Sequence, residues 1–353
     1  MNAKFSESPI ERLKKFLKSN NENSKVEILT PDASVREYFR VNWNDSTAIA
    51  CVYPEAFIEN EQSYLDITNL FLLSSLPVAK IYDFSQSLGV IVQEDFGDTI
   101  LRDFLSESNP EKREELVNEA ISLIAKIQAA TQKAFELNSI ASGLKFDEEK
   151  LLWELNFFKT HYFETFRKSK LSDKDEKALE QEFSELARKL EQRAKVLCHR
   201  DFHAANLMID SEGKLRIIDH QDARIGAASY DLVSFLLDRV LQTPEKKWLD
   251  EKKSLFLRER EKLGLEPINE TDFNYEFDLM TVQRGLKAIG TFSFQSTNRG
   301  KTYFIQFIEP MFRTVLQAAE NLNMFPALRK IISKELNNQV IALDSTMKNS
   351  ISK

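Results

Sequence analysis

Residues 196–222 restrict the fold more than any other stretch of this 353-residue chain: Val196-Leu-Cys198-His199-Arg200-Asp201-Phe-His203-Ala-Ala-Asn206-Leu-Met-Ile-Asp-Ser211-Glu212-Gly213-Lys-Leu-Arg-Ile-Ile-Asp219-His-Gln221-Asp222. They read as an apolar strand, a polar loop, a second apolar strand, a turn at Ser211-Glu212-Gly213, a third apolar strand and an acidic loop. A hairpin over 207–218 sets Asn206 and Asp219 at the same end of adjacent strands. Asp201, Asn206 five residues on and Asp219 thirteen beyond that then form one constellation.

That spacing suits phosphoryl transfer, which asks little covalent chemistry of a protein. It needs a base or positioner for the attacking hydroxyl, and a divalent ion to gather phosphate oxygens. Asp201, in a loop between strands, suits the base. Asn206 offers a neutral oxygen and Asp219 an anionic one, both suited to Mg2+. The expected cofactors are therefore ATP and magnesium. His199 reads as a loop-orienting residue rather than a reactive one.

Along the rest of the chain, short strand-like runs fall at Val26–Leu29, Glu37–Trp43, Thr47–Tyr53, Val78–Phe84 and Gly89–Glu94, with an Asn44-Asp45-Ser46 hairpin turn. Helical periods cover residues 9–18, Glu59–Ser74, a segment opened by Asn109-Pro110, Phe146–Phe166 and one capped by Ser172. Further helices are expected at Tyr230–Leu241, Pro244–Leu263, Glu270–Phe294, Lys301–Glu320 and near Pro326–Leu343. The change from strands to helices at Gln93–Asp98 divides the chain into segments 1–95 and 96–353. Glycine is scarce, at 9 residues, as a mainly helical chain requires. The net charge of −7, with no Lys/Arg stripe, argues against a nucleic-acid partner. No apolar run reaches the roughly 20 residues of a membrane span, and no signal peptide opens the chain, so a cytoplasmic location is expected. Cys51 and Cys198 lie in apolar runs and read as buried thiols.

His199-x-Asp201-x-His203-x-x-Asn206 resembles the aminoglycoside phosphotransferase/choline kinase branch of the protein-kinase-like fold; protein kinases usually have Lys where this chain has His203. Further segments resemble the bacterial anomeric N-acetylmuramate/N-acetylglucosamine kinases of cell-wall recycling. They are Asp32-Ala33-Ser34-x-Arg36-x-Tyr38-Phe39-Arg40, Gln93–Asp98, Ile218-Asp219-x-Gln221-Asp222-Ala223, Tyr230–Ser234 and Leu279-Met280-x-x-Gln283-Arg284-x-Leu286-Lys287-x-x-Gly290. The resemblance implies an α+β, two-lobed fold, with a β-rich nucleotide-binding lobe over 1–95 and a helical lobe over 96–353 carrying the catalytic loop and acceptor site. It implies Asp201 as catalytic base, Asn206 and Asp219 as metal ligands, Glu94–Phe96 as the hinge that binds adenine, and Asp231 as a brace of the catalytic loop. The partners implied are a nucleotide and a small sugar, with no nucleic acid, no membrane and no stated oligomeric state.

Two features depart from the kinase pattern. No Gly-x-Gly-x-x-Gly is present; Thr30–Ser34 stands there, so the Ser34 hydroxyl and Arg36 are the expected phosphate contacts. The third strand, Ala48-Ile-Ala-Cys-Val-Tyr53, carries no Lys, and Arg36 or Arg40 could supply that charge. On the acceptor side His203, Gln221 and Asp222 flank the base and metal positions. Arg284 and Lys287 share a helix face and could meet an anion or simply water. Trp153, Phe157, Phe158 and Tyr162 read as core or as a sugar platform. Two other functions fit the residues: a kinase for an aminoglycoside, choline or homoserine, and a catalytically inactive nucleotide-binding protein.

Overall fold

In the computed structural model, which describes residues 6–22, 25–29 and 36–337, the elements run in chain order as α1 (Pro9–Ser19), β1 (Glu27–Leu29), β2 (Glu37–Trp43), β3 (Ser46–Val52), α2 (Ser63–Leu73), β4 (Ile81–Ser85) and β5 (Val90–Glu94). Then come α3 (Leu101–Glu107), α4 (Pro110–Ala129), α5 (Thr131–Glu136), α6 (Ile140–Gly143), α7 (Glu148–Phe158), a π-helical segment (Lys159–Phe166) and α8 (Asp173–Glu191). Four short strands follow: β6 (Val196–Cys198), β7 (Leu207–Ile209), β8 (Leu215–Ile217) and β9 (Arg224–Gly226). The remainder is α9 (Tyr230–Leu237), α10 (Lys246–Lys262), α11 (Glu270–Asn298), α12 (Ile308–Asn321) and a helix over 326–337. This is the α+β class expected. The chain forms two compact units, Met1–Leu123 with Ala130–Gly143 and Ala204–Ala223, and Ile124–Ala129 with Leu144–His203 and Arg224–Lys353, each known over its described residues.

In the first unit an antiparallel sheet of order β1-β2-β3-β5-β4 is built by alternation. Phe39, Val41 and Trp43 on β2, Ala48, Ala50 and Val52 on β3, and Val90 and Val92 on β5 all turn to one face. The amphipathic α1 covers that face with Leu13, Phe16 and Leu17, and Phe16 stacks on Trp43 at 5.8 Å between ring centres. Ser8 and Glu11 form a capping box at its start. Asn44 and Asp45 both have positive φ (46° and 63°), the twist a tight hairpin needs.

Arg40 on β2 donates to Asp95 at 2.7 Å and to Asp98 at 2.7 Å, tying the sheet to the segment after β5. Asp95 is 4% exposed and Asp98 78%, so the first contact carries the energy. Arg40→Met is expected to cost about 1–3 kcal/mol by urea denaturation, and Asp98→Ala under about 0.5 kcal/mol.

The second unit packs around α11. Gly290 lies on it where an added Cβ would come within 2.8 Å of the Phe158 Cα, so only glycine permits this approach to α7. Phe158, Tyr162 and Phe163 are all buried, and the wider π turn lets the three face inward together. One uninterrupted α-helix over Phe146–Phe166 was expected; it is α-helical from Glu148 to Phe158 and π-helical after. Other bounds shift for local reasons. The Gln62 side chain caps α2 at Tyr64, so Glu59–Glu61 forms a separate 3₁₀ turn. Starting α12 at Ile308 puts Pro310 in its first turn, where its missing N–H is not needed, and Thr302–Phe307 is 3₁₀. Residues 338–343 of the expected last helix lie outside the described residues.

Candidate active site

The hairpin expected over 207–218 is present in the first unit. β7 pairs antiparallel with β8, Leu207 opposite Ile217, and Gly213 takes φ 78° in the turn. The Asp210 carboxylate closes that turn, accepting from Glu212 N, Lys214 N and Arg216 Nε. Ile218 N donates to Asn206 O, so the residues bracketing the hairpin meet. Their neighbour Asp219 completes the approach: Asn206 Nδ2 donates to Asp219 Oδ2 at 3.3 Å.

Three donors surround the Asp219 carboxylate, which is 43% exposed. Besides Asn206, Gln221 Nε2 donates to Oδ1 at 2.8 Å, and the Arg36 guanidinium lies 3.6 Å from Oδ1. Arg36 also lies 5.7 Å from the Tyr38 and Tyr53 ring centres. Asp219 itself has φ 62°, a strained value for a non-glycine residue and a mark of sites where geometry is held for a purpose. The buried Gln221 Oε1 has no partner among the described residues.

Asp222 follows in the same loop, half-buried, and Ser34 lies outside the described residues. Glu94 ends β5, its N–H given to Lys80 O at 2.9 Å. Phe96 is buried under Arg216, 5.0 Å from the ring centre, and its own N–H and C=O make no hydrogen bond among the described residues.

His220, between Asp219 and Gln221, was not singled out from the sequence. It is fully buried, stacked on Tyr64 at 5.0 Å and Phe71 at 5.3 Å, with Nε2 2.7 Å from Thr68 Oγ1. All three partners are on α2, so this imidazole pins α2 to the Asp219 loop. A His set between Asp219 and Gln221, just beyond the apolar Ile217-Ile218 pair, was the sequence signal for it.

In the second unit, β6 leads into His199-Arg200-Asp201, paired with β9 through Cys198 and Arg224. Asp231, fully buried in the first turn of α9, accepts from His199 N at 2.7 Å and from Arg200 N at 3.0 Å. These bonds hold Arg200 at φ 87°. Burial pushes the Asp231 carboxyl upward against His199 and the two N–H groups. An acid raised in this way withdraws stability as it ionises, so its contribution is its hydrogen bonds rather than its charge. The His199 ring is buried, edge-on to Phe202 at 5.6 Å.

Asp201 projects from this braced loop with its side chain 25% exposed. Lys287 Nζ donates to its Oδ1 at 3.1 Å, Arg284 lies 3.8 Å from Oδ1, and Arg200 Nε lies 3.7 Å from Oδ2. Burial alone would raise the carboxyl; Lys287, Arg200 and Arg284 outweigh it and hold the group well below the usual carboxylate range. Burial holds His203 below its ordinary value, and its buried Nδ1 has no partner among the described residues.

Arg284, expected beside an acceptor anion, is 7% exposed and gives its nitrogens to Tyr230 Oη at 2.9 Å and Ser234 Oγ at 2.7 Å. Of the aromatic run, Phe158 and Tyr162 are core, while Trp153 is 56% exposed with Lys150 Nζ 4.1 Å from its ring centre. Cys51 and Cys198 are buried free thiols. Among the described residues no helix is long and apolar enough to cross a membrane.

Asn206 and Asp219 present hard oxygen donors of the kind magnesium takes, and Arg36 shows that positive charge is favoured against Asp219. Among the described residues no three of His, Cys, Asp or Glu cluster to hold a metal alone.

Residues 25–264 match the phosphotransferase enzyme family. A protein of Neisseria meningitidis named N-acetylmuramate/N-acetylglucosamine kinase is 29% identical over 86% of this chain and 90% of its own length. One of the same name from Pseudomonas aeruginosa is 26% identical over 80% of each chain. Among solved structures, the choline kinase LicA of Streptococcus pneumoniae superimposes with a TM-score of 0.54 at 13% identity, covering 88% of this chain and 100% of that one. An ADP-bound aminoglycoside phosphotransferase gives 0.54 at 14% identity, over 88% and 98%. The structural likeness shows the kinase-like fold.

Proposed function

From the premise that the chain belongs to the phosphotransferase enzyme family, we propose that it transfers the γ-phosphoryl group of ATP to the anomeric hydroxyl of an N-acetylated amino sugar in the cytoplasm, for cell-wall recycling. The observation that carries this reading is the Asp201 carboxylate, 3.1 Å from Lys287 and set between Arg200 and Arg284, on a loop pinned by Asp231. We assign residues 1–95 to nucleotide binding, and 96–353 to the catalytic loop and acceptor.

In the reaction the sugar O–P bond forms, the bond between the γ-phosphorus and the bridging oxygen of ADP breaks, and the hydroxyl proton passes to Asp201. An anomeric hydroxyl is more acidic than an ordinary alcohol, and the transition state is loose, so a weakly basic carboxylate suffices. Asn206 and Asp219 would hold magnesium, which would neutralise charge on the phosphate oxygens. Arg36, with Ser34, would meet the phosphates in place of a β3 lysine, and the open main chain at Phe96, beside Glu94, would take adenine. His203, Gln221 and Asp222 offer hydrogen bonds to sugar hydroxyls, and Arg284, through Tyr230 and Asp201, keeps the acceptor side in place.

ADP release over a panel of N-acetylmuramate, N-acetylglucosamine, an aminoglycoside, choline and homoserine tests this reading, with the product located by ³¹P NMR. Turnover led by choline, homoserine or an aminoglycoside, or phosphate on a hydroxyl other than the anomeric one, would overturn it. Asp219→Asn is expected to lower kcat by about 10²–10³-fold and to raise the magnesium concentration for half-activity. An unchanged magnesium titration would remove Asp219 from the metal.

A further inference from the structure

Three cations converge on the Asp201 carboxylate, while Glu154 and Asp238 add negative charge at Arg284. Lys287, Arg200 and Arg284 all lie within 3.8 Å of Asp201, and Arg284 is already fixed by Tyr230 and Ser234. Like charges held together at partly buried positions are unfavourable unless an anion joins them. Lys287 is 20% exposed, on a flexible stem, and can turn from Asp201 to another acceptor of its proton.

We propose that Lys287 receives the carboxylate of an acidic acceptor, so that this enzyme prefers an amino sugar carrying a carboxylate to its neutral counterpart. The inference rests on the sugar-kinase reading above and adds the residue that chooses between acceptors. An acceptor carboxylate would compete with Asp201 for Lys287, leaving Oδ1 of the base open to the hydroxyl. Arg284 has no such freedom, being buried and bonded on both terminal nitrogens.

N-acetylmuramate and N-acetylglucosamine differ by one lactyl ether with its carboxylate, so the ratio of their kcat/KM values isolates this contact. The full-length wild type is expected to favour the muramate about 10-fold or more. Lys287→Met should lower the ratio by about 10–100-fold, chiefly through the muramate KM, and Lys287→Arg should largely preserve it. A merely structural lysine, or one acting through Asp201 alone, would lower both acceptors in proportion and leave the ratio constant, which overturns the proposal. A wild-type measurement guards against variants that fail to fold: the muramate KM should rise several-fold between about 0.05 and about 0.5 M salt while the glucosamine KM stays flat. Equal salt responses, or equal use of the two sugars, overturn this inference and leave the sugar-kinase reading standing. Phosphorylation of neither sugar overturns both.

Discussion

Asp201→Asn is expected to lower kcat by about 10²–10⁴-fold, with acceptor and nucleotide KM values changed far less. Asparagine keeps the shape and one acceptor oxygen but cannot take a proton. The same substitution should change the acid response of stability in a direction that can be worked out. The Asp201 carboxyl is held below its ordinary value in the folded chain by Lys287, Arg200 and Arg284 against burial. A depressed carboxyl contributes stability that is present above its unfolded value and lost as pH falls through its folded value. The variant should therefore melt at a lower temperature than wild type at pH 7, and the gap should narrow as pH is lowered through and below about 3.9. For activity, the free enzyme keeps this base ionised well into acid, so kcat/KM should show no loss from it between pH 7 and about pH 5. Full activity in Asp201→Asn, or an acid limb near neutrality that disappears in that variant, would reject the assignment.

The second large effect is at Asp231. Replacing it with Ala leaves the main-chain N–H groups of His199 and Arg200 without their acceptor inside a buried loop. Each buried N–H left without its acceptor costs about 1–3 kcal/mol, so a destabilisation of about 3–5 kcal/mol and a fall in Tm of roughly 10 °C are expected. Asp231→Asn keeps one acceptor oxygen and should cost about half as much. Arg200 would also be released from its positive φ, shifting Asp201, so kcat should fall about 10-fold or more even below the melting range. Asn and Ala variants of equal stability, with normal kcat, would show that the carboxylate does not hold the loop.

The features legible in the sequence were those whose causes are local. The 207–218 hairpin is closed by Asp210 and Gly213, a few residues apart, so Asn206 and Asp219 meet wherever that hairpin forms. The α1 helix is written in Ser8, Pro9, Glu11 and its apolar stripe, and the β2–β3 turn in Asn44-Asp45. The change to π-helix at Lys159 had no such mark, because it answers to the buried face shared by Phe158, Tyr162 and Phe163.

The charge state of Asp201 lies at the other extreme. Lys287 is 86 residues away along the chain and Arg284 nearly as far, and a helical spacing of three says that the two share a face, not what that face meets. Arg36 beside Asp219, and His220 beneath α2, likewise arise from contacts made after the strands and helices have packed. The sequence by itself determined which groups could do chemistry, since type, spacing and turn residues act over a few bonds. Which cations face each carboxylate, which polar atoms are buried, and that Arg284 is committed to Tyr230 and Ser234 were decided only by the tertiary structure. The reason is that electrostatic and packing energies depend on distance in space, which chain separation does not record.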